Sequence, residues 1–298
     1  MTRLPVPTST PTISPLLATK IRALLRTHGF AHPLQFSPLL PEPDGPDNHT
    51  IVAALAWAIF RSPSTPPRMT PAVAAKTIEL FIAANGTSVG ALRDSSPQLR
   101  NDILAAGGCG GKSAARRRYR EDTAEALHAL AVVLEERYDG VAYALLPETA
   151  EGDSHWDRRG WMEASRAEIE ARQRACEAEM RERLAGFEGI EERGADAFVG
   201  LMQGVWPALA PYLEPGSART ARELGLAGGN AWTLFECVGR REWDMARLNA
   251  ALARVREKGE LGAFRERFAS RRFDQTVDPK GPPVTTYGFD GWSWWVAE

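Results

Sequence analysis

The chain has 298 residues, 44% of them apolar and 25% charged, and a formal net charge of −2. That length and mix suffice for one large globular domain or two small ones, with a core built without metal or disulfide staples. The balance excludes the overall basic excess that usually marks a nucleic-acid binder, so any contact with DNA has to come from a local patch. The acidic residues concentrate in the middle, where residues 141–240 set 17 carboxylates against 11 basic side chains.

Three cysteines, Cys109, Cys176 and Cys237, lie far apart and match no metal-ligand spacing, and their odd number argues against a disulfide framework. They read as scattered thiols in a reducing compartment. The N-terminus carries no basic-then-apolar leader, and the longest apolar run, Ile51 to Phe60, is too short to span a bilayer. The expectation is an intracellular protein, cytoplasmic or nuclear, with no membrane partner.

In chain order, residues 1–15 are rich in Thr, Pro and Ser and read as a tail. Helical patterning starts near Leu17 and stops at Gly29, and residues 31–49 form a Pro-rich loop. Ile51 to Phe60 predicts a buried helix that ends at the prolines after Arg61. Pro71 to Ala84 predicts another, with proline at a tolerated first-turn position and Asn85-Gly86 as its stop. Pro97 to Ala106 predicts a short helix, and Gly107-Gly-Cys-Gly-Gly a loop. Ala114 to Tyr138 predicts a long helix with Leu127, Leu130, Ala131 and Leu134 on one face. Residues 158–186 form the most charged helix, where Glu168–Arg172, Glu170–Arg174, Glu177–Arg181 and Glu179–Arg183 fall one turn apart; such pairs stabilise a solvated helix by a few tenths of a kcal/mol each. Further helices are expected at about 191–204, 216–224, 230–238 and 241–257, and the last 25 residues read as irregular. No strand and no internal repeat emerges. The fold class is all-α, with a tail carrying one helix over 1–48, a helical domain over 49–257 and an irregular Trp-rich extension over 258–298.

The stretch with chemical content is Phe187-Glu-Gly-Ile-Glu-Glu-Arg-Gly-Ala-Asp-Ala-Phe-Val, a short glycine turn between two helices. Val205-Trp-Pro-Ala-Leu-Ala-Pro-Tyr-Leu-Glu follows, and then Ala218-Arg-Thr-Ala-Arg-Glu-Leu-Gly-Leu. This succession resembles the helix-hairpin-helix signature of the base-excision DNA-repair glycosylases, in an endonuclease III-like branch without an iron–sulfur cluster. In that family a Leu-Pro-Gly-Val-Gly hairpin precedes a catalytic Asp and a helix ending in Leu-Gly-Leu. Ala195 falls six after Gly189, as the family's Ala does, Glu214 stands where its catalytic Asp would, and Arg219 matches its usual Arg. Arg118-Tyr-Arg-Glu-Asp-Thr-Ala-Glu-Ala-Leu and Trp243-Asp-Met-Ala-Arg-Leu-Asn-Ala-Ala-Leu-Ala-Arg-Val are similar to two further helices of the branch, so the resemblance covers about residues 50–257.

The resemblance implies a helix-hairpin-helix glycosylase-like fold of two helical lobes, acting on damaged bases in duplex DNA. In such a hairpin, backbone N–H groups at a helix N-terminus hold a phosphate, here at Gly189 and Ile190. Glu214 would supply the carboxylate that stabilises positive charge on the sugar as the base leaves, one methylene longer than the family's Asp. Where bifunctional members carry a hairpin lysine this chain has Arg193, which stays protonated and forms no Schiff base. The implied activity is therefore that of a monofunctional N-glycosylase, and three scattered cysteines leave no cluster or other cofactor. Lys112, Arg116, Arg117, Arg118 and Arg120 make a dense basic cluster suited to a DNA backbone, and equally to a helix start paired with Glu121 and Asp122. Trp292, Trp294 and Trp295 read either as base-stacking groups or as a tail packed on the core. Glu191 replaces the hairpin's second glycine and Glu188 and Glu192 flank it, which repels a phosphate. A non-catalytic descendant that binds DNA or protein through the same scaffold therefore remains an alternative.

Overall fold

A computed structural model describes residues 14–28, 48–62, 69–109, 113–147 and 165–269. Every regular element among them is helical. In chain order these are α1 (Pro15–His28), α2 (Asn48–Arg61), α3 (Pro71–Ala83), α4 (Val89–Asp94), α5 (Pro97–Gly107), α6 (Ala114–Tyr138), α7 (Arg166–Leu184), α8 (Glu192–Met202), α9 (Pro215–Glu223), α10 (Ala231–Cys237), α11 (Glu242–Glu257) and α12 (Leu261–Ala269). Single 3-10 turns at Ala142–Leu145, Pro207–Leu209 and Ala227–Gly229 punctuate the connections.

The helix starts follow from their capping residues. Thr70, Ser88, Ser96, Ser113 and Asn230 each turn a side-chain oxygen onto an N–H of the following first turn, satisfying a donor the helix leaves orphaned. Ser165 and Glu168 form a reciprocal capping box at the start of α7. Glu168 is thus held at the cap. Glu177–Arg181 (2.9 Å) and Glu179–Arg183 pair one turn apart as expected, and Glu170 pairs backwards with Arg166 at 2.7 Å.

The apolar side chains gather into two clusters. The first surrounds α2, where every residue from Thr50 to Arg61 is buried, and takes in Ile78 and Phe81 of α3, the Leu127–Leu134 face of α6, Met180 and Leu184 of α7, and Phe198 and Met202 of α8. The second joins Ile21, Leu24 and Leu25 of α1 to α9, α10, α11 and α12. α11 is the seam, because Met245, Leu248, Leu252 and Val255 belong to the second cluster while the same helix packs against α8.

α2 and α8 pack most closely of all. A Cβ on Gly194 would lie 2.1 Å from Ser62 Oγ and 2.6 Å from the Ala58 carbonyl oxygen, so the absent side chain sets the separation of the two backbones. Two expectations fail at the chain's ends. α1 is no appendage, since its apolar side is part of the second core. α12 lies inside the region expected to be irregular from residue 258, with Phe264 and Phe268 buried and stacked edge-on at 5.6 Å. The Trp-rich end and Lys112 lie outside the described residues.

Candidate functional site

Residues 203–214 carry the chain from α8 to α9, and buried polar groups hold their path. The Gln203 amide donates to the Tyr212 and Gly200 carbonyls (3.0 Å each) and accepts from the Tyr212 N–H at 2.9 Å. On the other side the Tyr212 hydroxyl donates to Asp196 at 2.6 Å, and Arg181 donates to the same carboxylate oxygen at 2.7 Å and to the Tyr212 oxygen at 2.9 Å. Burial, with the Asp196 carboxylate beside it, pushes the Tyr212 hydroxyl's pKa up. The tyrosine therefore works as a fixed donor.

The path delivers Glu214 to the N-cap of α9, with Pro215 at the first helical position. Its side chain makes no capping bond; it is turned inward to α11. Asn249 grips it twice, accepting from the Glu214 N–H at 3.1 Å and donating from Nδ2 to Oε1 at 3.0 Å. The Ser217 hydroxyl donates to the Asn249 carbonyl at 3.0 Å, which ties the first turn of α9 to the same residue. A side chain at position 200 would destroy this cradle, because a Cβ there would sit 2.5 Å from Asn249 Nδ2 and 3.1 Å from Glu214 Oε1.

Glu214 lines a cavity of about 410 Å³ with further walls from α1, α2, α3, α8 and α11. That size lies within the roughly 300–1,000 Å³ usual for small-molecule sites. Trp57 and several alanines give it apolar sides, and Arg61 and Glu257 supply further charge. Arg61 is buried over the Trp57 ring at 5.7 Å, with Nη2 3.6 Å from Glu257 Oε1 and Nη1 donating to the Met69 carbonyl at 3.4 Å. Burial raises the pKa of the Glu214 carboxyl, and the Arg61 cation and the Asn249 amide oppose the rise. Burial raises that of Glu257 too, opposed by Arg61 and Arg254 and reinforced by the Glu214 charge. Two carboxyls in one cavity, each harder to ionise than usual and sharing one guanidinium, form an arrangement suited to acid–base chemistry.

The other expected residues are placed less centrally. Arg193, half-buried in the first turn of α8, lies close enough to Glu214 and Glu257 to favour their ionised forms. Gly189 has φ +81°, which favours glycine, and a Cβ there would lie 2.8 Å from that of Ala126 on α6. The Ile190 side chain is buried, its N–H donates to the Phe187 carbonyl at 3.3 Å, and the Glu191 N–H donates to Ser62 Oγ at 2.7 Å. The hairpin donors at 190 and 191 are thus engaged within the protein, while Glu188, Glu191 and Glu192 are exposed around them. Arg116, Arg117 and Arg118 stand exposed at the start of α6 with Arg120 half-buried behind them, and Arg219 is exposed on α9. None of these five arginines lines the cavity. Beside Arg116 and Arg120, the buried Cys109 thiol is nonetheless pushed up to about 11 by desolvation, so it stays unreactive.

Sequence reasoning missed Arg61, Gly200, Asn249 and Glu257. Only Asn249 had a local signal, as an amide one position from Leu248 on the apolar side of α11, where a buried polar group needs partners. Among the described residues no group of three or more His, Cys, Asp or Glu is placed to hold a metal, and no helix is long and apolar enough to cross a membrane. Comparison with protein-family models finds no match, and comparisons with curated proteins and with solved structures likewise find none.

Proposed function

We propose that the chain is a helix-hairpin-helix, endonuclease III-like protein of the base-excision repair class, which removes damaged bases from duplex DNA as a monofunctional N-glycosylase. The observation that carries the reading is the Glu214 corner. The residue that the resemblance sets at the position of the family's catalytic Asp heads a helix, is held at two atoms by Asn249 and lines a cavity. A carboxylate fixed in this way can stabilise positive charge on a sugar that has lost its base and can take a proton from the attacking water. The exposed arginines at 116–118 supply a surface for the DNA backbone, and the hairpin serves packing. Arg193 in place of a hairpin lysine forms no Schiff base at that position, and in this reading water completes the reaction.

Single-turnover release of deaminated or oxidised bases from duplex oligonucleotides tests the reading. Wild type is expected to release base, and Glu214→Gln to lower the rate by about 100-fold or more. Equal rates for the two proteins end the enzymatic claim.

The engaged N–H groups of Ile190 and Glu191 favour a second reading, a scaffold that binds without catalysis. Under it the protein releases no base. If it binds duplex DNA, the affinity falls steeply with salt through the 116–118 cluster, whereas salt-independent binding excludes phosphate contact.

A further inference from the structure

One wall of the cavity comes from outside the stretch that carries the resemblance. Thr27 and His28 enter it from α1, and Glu260, which holds the His28 ring, follows α11. The polar side chains of the lining are engaged to different degrees. Asn249 spends both ends of its amide on Glu214, and Arg61 carries donors only, set toward the Met69 carbonyl and Glu257. His28 is just as buried, yet among the described residues a single hydrogen bond engages its ring, with Nε2 2.6 Å from Glu260 Oε2.

The ring is fixed in place as well. It lies against Phe264 with 5.7 Å between ring centres, and Lys258 Nζ stands 3.9 Å from the other Glu260 oxygen. An ionised carboxylate accepts hydrogen bonds and donates none, so Nε2 carries the proton in this pair. In the neutral ring Nδ1 then keeps its lone pair. A fixed acceptor of this kind tells bases apart by one proton. Deamination turns a ring nitrogen from an acceptor into a donor: adenine has a lone pair at N1 where hypoxanthine has N1–H, and cytosine has one at N3 where uracil has N3–H. The acceptor pairs with the deaminated base and sets lone pair against lone pair with its parent.

We infer that His28 is the specificity-determining residue of the cavity, its Nδ1 accepting the ring N–H of a deaminated base, and that Glu260 is the positioning residue that sets its tautomer. The inference rests on the glycosylase reading and narrows its substrates to deaminated bases. A cavity of about 410 Å³ admits a purine or a pyrimidine, so the proton at the ring nitrogen, more than ring size, is what it discriminates.

Single-turnover release is measured at about pH 8.5, well above the ordinary imidazole pKa of about 6.5. The duplexes carry hypoxanthine, 1-methylhypoxanthine, uracil, 3-methyluracil or 5-hydroxycytosine. The two methylated bases lack the ring N–H, and the last is an oxidised base with a lone pair at N3. The proteins are wild type, His28→Phe, Glu260→Gln and Glu214→Gln, each shown by thermal unfolding to be folded. Wild type is expected to release hypoxanthine and uracil at least about 10-fold faster than their methylated forms. His28→Phe keeps a flat ring against Phe264 without the acceptor, and is expected to bring each pair within about 2-fold. Glu260→Gln, at a side chain 35% exposed, leaves the ring in place but also donates to it, so both tautomers occur and the preference falls between those two. A residue that only supports the fold would lower all the rates together and leave the preference unchanged. If His28→Phe retains the wild-type preference, or wild type releases 5-hydroxycytosine faster than uracil, the assignment fails, while release that depends on Glu214 upholds the glycosylase reading. If no protein releases any base, both fail.

Discussion

The hairpin between α7 and α8 and the corner between α8 and α9 lie at opposite ends of one 11-residue helix, and they use polar groups in opposite ways. At the hairpin, two N–H donors are spent on the protein while three carboxylates stand exposed around the turn. At the Glu214 corner the backbone N–H and one carboxylate oxygen are gripped by a single amide, and the carboxyl still faces a cavity. One end spends its polar groups on packing; the other holds a carboxyl at the wall of a cavity.

Asn249→Ala breaks this contrast most severely. It strips the Glu214 N–H and carboxyl of their shared partner in a cavity wall, where each unsatisfied group costs about 1–3 kcal/mol. Urea unfolding is expected to show a loss of about 3 kcal/mol, with base release falling alongside. Unchanged stability would mean that water replaces the amide and that the corner is less rigid than its geometry implies.

Ser62→Ala tests the hairpin end. It removes the acceptor for the Glu191 N–H but leaves the α2–α8 contact at Gly194, so a smaller loss of about 1–2 kcal/mol is expected by the same measurement. A variant that instead gains duplex affinity would show that the freed N–H serves phosphate.

pH gives the finest discrimination. A carboxyl whose folded pKa lies above its unfolded value adds stability that is fully present below the unfolded pKa, near 4.5, and lost as pH rises through the folded one. Glu214→Gln should therefore gain stability relative to wild type as pH is raised from 4.5. Glu191→Gln, at the exposed hairpin, should stay within about 0.5 kcal/mol of wild type. Parallel curves for wild type and Glu214→Gln would show that Arg61 and Asn249 offset the burial completely.

The sequence made the long helices legible because their determinants are local. α6 is bounded by Ser113 and Asp139-Gly140, and its expected face of Leu127, Leu130, Ala131 and Leu134 is the buried one. α4 escaped because six residues are too few to display a period, although Ser88 caps it. α12 was hidden behind Gly259, although Phe264 and Phe268 stand one helical turn apart. Glu214 was found through its place after the hairpin. Its partners were not, because Arg61, Asn249 and Glu257 lie on α2 and α11 and meet it only through packing. No property of residue 257 alone distinguishes it from the chain's other glutamates.

The seam role of α11 has a consequence for how the protein is made. The clasp on Glu214 comes from a residue 35 positions later in the chain, and the clip joining α1 to the segment after α11, His28 on Glu260, spans 232 positions. During synthesis the carboxylate emerges long before the helix that aims it. Until then Glu214 is an ordinary solvated side chain, and the cavity lacks a wall. The nascent protein therefore completes the wall of this cavity late, after most of the residues of its first core have been made.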